Sequence, residues 1–311
     1  MDRDELARPV NGRSAAWNTV RRLVALALFP VALGATNGLI SGAFALQGGE
    51  RATHGFLRAT MVGHDPLRQH LDIWMADDEF VPAIRHYTVD MTKLLHLIIV
   101  SDDFTTFLHV HPTLGANGHF TIDQLFPRRT LYHVYADAEP QGVGHQVFRF
   151  DVPLGTGSGG GKRNLSPTGA TVSTGPYTVT ISATTLSAGK DTPLVIRIAR
   201  DGRPATDLHP YLGALAHAVF LNASDLTYVH AHPMPLGASS MPSMSGMSGM
   251  SGMSGMSGMS GMDMKPLSDS SVSSPAMELH LQLREPGTYK LWLQFRGGSE
   301  IYVAPFVMTV R

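Results

Sequence analysis

The chain has 311 residues, 43% of them hydrophobic and 16% charged, which is enough to build two packed cores of ordinary size. A net charge of -1 and a pI near 7.0 leave no electrostatic footprint for nucleic acid. The absence of cysteine excludes disulfides, thiolate zinc sites, thiol catalysis and a blue-copper centre, so a transition metal would have to be held by the 15 His, the 16 Met or carboxylates.

The chain opens with a polar leader ending in Arg21-Arg22, followed by an apolar run from Leu23 to Leu46 that contains Ala43-Phe44-Ala45, a sequence suited to signal peptidase. Residues 1–50 are expected to be a signal peptide or a membrane anchor. The remainder would then lie in the periplasm or cell envelope, tied to the cytoplasmic membrane by residues 23–46 if the leader is not cleaved.

Residues 51–153 carry short apolar runs broken by Asp, Gly and Pro, with no sustained helical period. Leu94 to Val100, Phe107 to Val110, Leu131 to Tyr135 and Gln146 to Val152 read as strands. Residues 154–175, with Gly159-Gly160-Gly161, have the composition of a flexible linker. From residue 176 the alternation of Tyr177, Val179 and Ile181 with Thr178, Thr180 and Ser182 predicts an antiparallel strand, and Leu194, Ile196 and Ile198 predict another before an Asp201-Gly202 turn. The expected fold is all-β: two tandem antiparallel β-sandwich domains, 51–153 and 176–311, behind the hydrophobic leader.

The two blocks repeat each other. His96 is followed by Phe107-Leu108-His109-Val110-His111-Pro112, and at the same interval His217 is followed by Tyr228-Val229-His230-Ala231-His232-Pro233. Further on, Tyr132-His133-Val134-Tyr135-Ala136-Asp137 answers Tyr289-Lys290-Leu291-Trp292-Leu293-Gln294, which indicates an internal duplication. Residues two apart on a strand share a face, so each His-x-His pair is a potential clamp. Two-residue turns at Asp102-Asp103 and Ala223-Ser224 would set His96 opposite His109 and His217 opposite His230, giving three converging imidazoles per domain. Neutral imidazole suits copper, zinc and nickel. The competing reading makes these histidines structural, each with a backbone partner.

The second block has an insertion, 234–275, that the first lacks. It holds a Ser-Gly-Met repeat with Met244, Met247, Met250, Met253, Met256, Met259 and Met262, preceded by Met234 and Met241 and followed by Met264. Gly and Ser give the repeat no core to pack into, and thioether sulfur is a soft ligand that selects Cu(I). A slippage repeat serving as a spacer is the alternative.

The stretch Asp207-Leu208-His209-Pro210-Tyr211-Leu212-Gly213-Ala214-Leu215-Ala216-His217, running on to His230-Ala231-His232-Pro233, resembles bacterial exported proteins with duplicated immunoglobulin-like or cupredoxin-like β-sandwich domains carrying a His-x-His-Pro motif. A looser similarity links the chain to periplasmic copper-resistance proteins with Met-rich loops. The resemblance implies a β-sandwich and no particular reaction. No Gly-x-Ser-x-Gly elbow, His-Glu-x-x-His helix or phosphate-binding glycine loop occurs, so enzymatic activity is not expected. The expected role is extracytoplasmic binding of copper, as Cu(I) on the methionines and Cu(I) or Cu(II) on the histidines, for tolerance, sequestration or delivery to a membrane or periplasmic copper-handling partner. Its rivals are a structural or adhesive β-sandwich protein and a His-ligated copper oxidoreductase.

Overall fold

The structure, a computed structural model, describes residues 38–44, 53–78, 81–155, 163, 165–237 and 266–311, and every regular element among them is a β-strand. The first domain contains β1 (Gly38–Phe44), β2 (His54–Val62), β3 (Asp65–Ala76), β4 (Tyr87–Thr88), β5 (Leu95–Ser101), β6 (Phe107–Val110), β7 (Thr113–Leu114), β8 (Phe120–Leu125), β9 (Leu131–Pro140) and β10 (Gln146–Pro153). One sheet has the order β1-β2-β3-β8-β7 and the other β10-β9-β5-β6, with β4 beside β9. The second domain contains β11 (Thr171–Thr174), β12 (Tyr177–Ile181), β13 (Thr185–Leu186), β14 (Thr192–Arg200), β15 (Arg203–Pro204), β16 (Leu208–His209), β17 (His217–Asn222), β18 (Tyr228–Ala231), β19 (Met234–Pro235), β20 (Ala276–Leu281), β21 (Gly287–Gly297) and β22 (Glu300–Val310). Its sheets run β11-β12-β14-β20-β19 and β13-β22-β21-β17-β18. Pairing is antiparallel except between β13 and β22.

Two strands extend beyond the boundaries expected from composition. β1 occupies residues placed in the leader, and β11 begins inside the expected linker. Each lies on the open edge of a long alternating strand, β2 or β12, whose unpaired backbone groups recruit it.

The core of each sandwich follows from the period-two pattern. Leu57, Leu71 and Ile73 meet Leu95, Leu97, Ile99 and Val134 in the first domain, while Val179, Ile196 and Ile198 meet Phe220, Leu291 and Phe306 in the second. β5 and β17 differ from the other strands in being buried along their whole length. Leu95, Leu97 and Ile99 face their own sandwich. Ile98 and Val100 turn outward to a third apolar cluster, where they meet Val219 and Leu221 of β17 together with Tyr135, Val147, Tyr228 and Trp292.

This cluster joins the two sandwiches within one compact unit, Gly34–Arg311. Tyr135 stacks on Tyr228 at 4.7 Å, and Phe107 stacks on Trp292 at 5.2 Å. In the duplication Phe107 corresponds to Tyr228 and Tyr135 to Trp292, so the two stacks exchange under an approximate two-fold axis between the domains. Arg163 ties the hairpin loops together, donating to the Asp102 and Ala223 carbonyls.

Candidate metal centre

The β5–β6 hairpin pairs Val100 with Phe107, Ile99 with Leu108, Ile98 with His109 and Leu97 with Val110. The Ser101 N–H donates to the Thr106 carbonyl, so the loop is the four residues Asp102 to Thr105 and not a two-residue turn. Asp103 builds this loop by accepting from the Ser101 hydroxyl at 2.7 Å and the Thr105 N–H at 3.2 Å, while Phe104 adopts φ +59°. β17 and β18 pair Val219 with His230, and Asn222 closes on Thr227 in the same way. The register therefore differs by two residues from the expected one: His109 and His230 lie opposite Ile98 and Val219, not opposite His96 and His217. An even shift preserves the face, and the rings still converge.

In the first set His96 Nδ1 lies 2.9 Å from His109 Nε2, and His111 Nε2 lies 3.2 and 3.1 Å from those two atoms. In the second set His217 Nδ1 lies 3.3 Å from His230 Nε2, and the His232 ring stands 4.8 and 4.7 Å from its two partners. His232 Nε2 is buried with no hydrogen-bond partner among the described residues.

The outer nitrogens decide the protonation pattern. His96 Nε2–H donates to the Asp90 carbonyl at 3.4 Å, and His217 Nε2–H donates to the Tyr211 carbonyl at 2.9 Å. His109 Nδ1–H donates to Gln294 Oε1 at 2.8 Å, and His230 Nδ1–H donates to Asp137 Oδ2 at 3.3 Å. A carbonyl or carboxylate only accepts, so each of these outer nitrogens carries a proton. His96, His109 and His217 are held neutral by burial, so their inner nitrogens present lone pairs to the centre. Burial, with His230 nearby, lowers His96 to about 4, and burial with His96 nearby lowers His111 to about 3. His109, His217 and His232 are pushed well below the usual value, chiefly by burial. Lone pairs about 3 Å apart repel unless a cation lies between them. Metal–nitrogen bonds of about 2.0–2.1 Å put two ligand nitrogens about 2.9 Å apart at a right angle and about 3.3 Å apart at a tetrahedral angle.

The docking of the domains merges what the sequence presented as two separate sets. The rings of His96 and His230 stand 5.2 Å apart and those of His109 and His217 5.0 Å apart. One nitrogen from each of His96, His109, His217 and His230 falls within 4.8 Å of the other three. His96, His109 and His217 are buried, at 1%, 8% and 0% exposed, because the sheet face that carries them is the interface.

The orienting groups cross between the domains. β5–β9 pairing places Asp137 beside His96, and β17–β21 pairing places Gln294 beside His217. Each reaches over to the opposite domain, Asp137 to His230 and Gln294 to His109. Asp137 also accepts from Tyr228 at 3.0 Å and from His145 at 2.5 Å. Burial alone would depress the His145 pKa, but the Asp137 charge and hydrogen bond raise it to about 9. The duplication aligns Asp137 with Gln294 from sequence alone, yet nothing in the sequence indicates that each serves the other copy. The carbonyls of Asp90 and Tyr211 come from matching turns, Asp90–Lys93 and Tyr211–Ala214, in which Met91 and Leu212 both hold φ +54°. A left-handed non-glycine residue is strained, and here it recurs at equivalent places beside the centre.

Met234 lies on β19 and pairs with Glu278 of β20. Met241, Met244, Met247, Met250, Met253, Met256, Met259, Met262 and Met264 lie outside the described residues, as does the leader through residue 37. Pro266 and Thr92 each lie against Gly213, and the Leu267 N–H donates to the Gly213 carbonyl at 2.9 Å. No helix among the described residues is long and apolar enough to cross a membrane.

A family model described as a domain of unknown function (DUF8832) matches residues 63–154 and 170–311, one stretch in each sandwich. No curated protein matches the chain.

Proposed function

The chain belongs to that family, whose description names no activity, and from the site itself we propose that it binds copper at the interdomain histidine centre. The observation that carries this reading is the convergence of inner imidazole lone pairs at 2.9–3.3 Å while the outer nitrogens are committed to acceptors. Such second-shell acceptors fix ring orientation and strengthen the ligand nitrogen. An all-imidazole donor set suits copper or zinc, and the Ser-Gly-Met repeat supplies thioethers that favour Cu(I). The Met-rich repeat is also flanked on both sides by residues near the centre. Met234 follows His232 by two residues, and Pro266 abuts Gly213, in the turn that presents the Tyr211 carbonyl.

In this reading the methionines capture Cu(I) and the histidines hold copper more firmly. With the apolar leader, the role is tolerance, sequestration or delivery outside the cytoplasm, in exchange with a membrane or periplasmic copper-handling protein. Copper oxidoreduction is the second reading, favoured by ligand sets of only three imidazoles, which leave coordination positions open.

Titration with Cu(II) in air and with Cu(I) anaerobically, each against a competing chelator, tests the proposal. His109→Ala with His230→Ala should abolish tight Cu(II) binding. Replacing the seven methionines from Met244 to Met262 by Ser should remove most Cu(I) capacity and leave Cu(II) binding intact. A wild-type protein that binds neither ion would overturn the copper reading, and turnover of a reductant by the copper-loaded protein would move the assignment to the oxidoreductase.

A further inference from the structure

Resting on the metal-binding reading above, we infer that the centre holds two transition-metal ions side by side, one on His96, His109 and His111 and one on His217, His230 and His232. The short approaches between inner nitrogens, 2.9, 3.1 and 3.2 Å in the first set and 3.3 Å in the second, run within a set. The first three distances describe a triangular face of ligands around one ion at about 2.0–2.1 Å. Ring separations across the sets, 5.0 to 6.3 Å, overlap those within a set, 4.6 to 5.5 Å, so it is the nitrogen approaches that pick out each set.

One nitrogen from each of His96, His109, His217 and His230 lies within 4.8 Å of the other three, so a single ion on these four is the competing arrangement, and it leaves His111 and His232 unused. The sheets are held where they are by the Tyr135–Tyr228 and Phe107–Trp292 stacks and by Ile98, Val100, Val219 and Leu221. Two ions use all six imidazoles.

A second, independent sign is the buried and unpartnered His232 Nε2. It is the duplicate of His111 Nε2, the atom that completes the first triangle at 3.1 and 3.2 Å. A buried ring nitrogen left without a partner is destabilising, which an ion in the second set would offset. Each set also has its own pair of orienting acceptors, Asp90 and Gln294 for the first and Tyr211 and Asp137 for the second, so neither depends on the other's second shell.

The probes are Zn(II), which thioethers do not favour, for stoichiometry, and Cu(II) for its spin. Full-length protein titrated with Zn(II) against a chelator should bind two tight equivalents. His111→Ala and His232→Ala should each retain one equivalent, and the double variant should retain none. With two Cu(II) bound, the magnetic coupling of close ions should leave an integrated electron paramagnetic resonance intensity well below the copper content, and each single variant should restore one full spin. One tight equivalent in the wild type, lost in either single variant, would mean a single shared ion and overturn the binuclear assignment while leaving metal binding intact. No tight equivalent would overturn both. Two equivalents with full, uncoupled spin intensity would place the ions apart and overturn the assignment without recourse to any variant.

Discussion

At the scale of single residues, the centre converts burial into ligand readiness. His96 and His111 titrate near 4 and 3 in the folded protein against about 6.5 for a free imidazole, so the unfolded chain takes up protons first as pH falls below 6.5, and metal-free stability declines on that side. His145 contributes with the opposite sign. Its folded value of about 9 means that its contribution is complete below 6.5 and is lost as pH rises through 9. Metal-free protein should therefore be most stable near pH 6.5. Replacing His145 with Gln should flatten the alkaline limb, removing about 2–3 kcal/mol of pH dependence between 6.5 and 9. Chemical denaturation followed across pH checks this, and an unchanged alkaline limb would show that the His145–Asp137 pair does not stabilise the fold. The six ligand candidates were all legible in the sequence, because spacing on a strand is a local property. His145, Asp137 and Gln294 were not, since their partners lie a strand or a domain away.

At the scale of strands, hydrophobic pattern reveals existence better than register. Leu94 to Val100 is apolar without alternation apart from His96, and the reason is that β5 is covered on both faces, by its own sandwich and by the other domain. The hairpin register escaped sequence reasoning because Asp102-Asp103 looks like a two-residue turn, while the Asp103 carboxylate ties down Ser101 and Thr105 and widens the loop to four. β21 links packing to the centre most directly. Trp292 stacks on Phe107 and meets Phe104 edge-on, and two residues further along the same face Gln294 orients His109. Trp292→Ala should cost about 3–5 kcal/mol in urea denaturation and also weaken Zn(II) binding, although Trp292 is no ligand. A destabilised variant with wild-type affinity would show that the interface does not position the histidines.

For the whole molecule, the all-β duplicated architecture was legible because it is written twice, whereas the docking of the copies face to face was not, since a pseudo-two-fold axis leaves no local periodicity to read. That docking makes ligand binding and domain association one equilibrium. An ion held at a thousand times its Kd should stabilise the docked form by about 4 kcal/mol, and calorimetry should show a higher melting temperature on Zn(II) loading that chelation reverses. A transition unaffected by metal would separate the two events. The crossed acceptors add a consequence for manufacture. His109 waits for Gln294 and His230 waits for Asp137, so a chain that has produced only its first sandwich lacks a finishing part for its own ligand set. In the proposed reading, cargo is held at full strength only by completed, correctly assembled copies, and an unfinished one binds metal about 10–100-fold more weakly while it is being made.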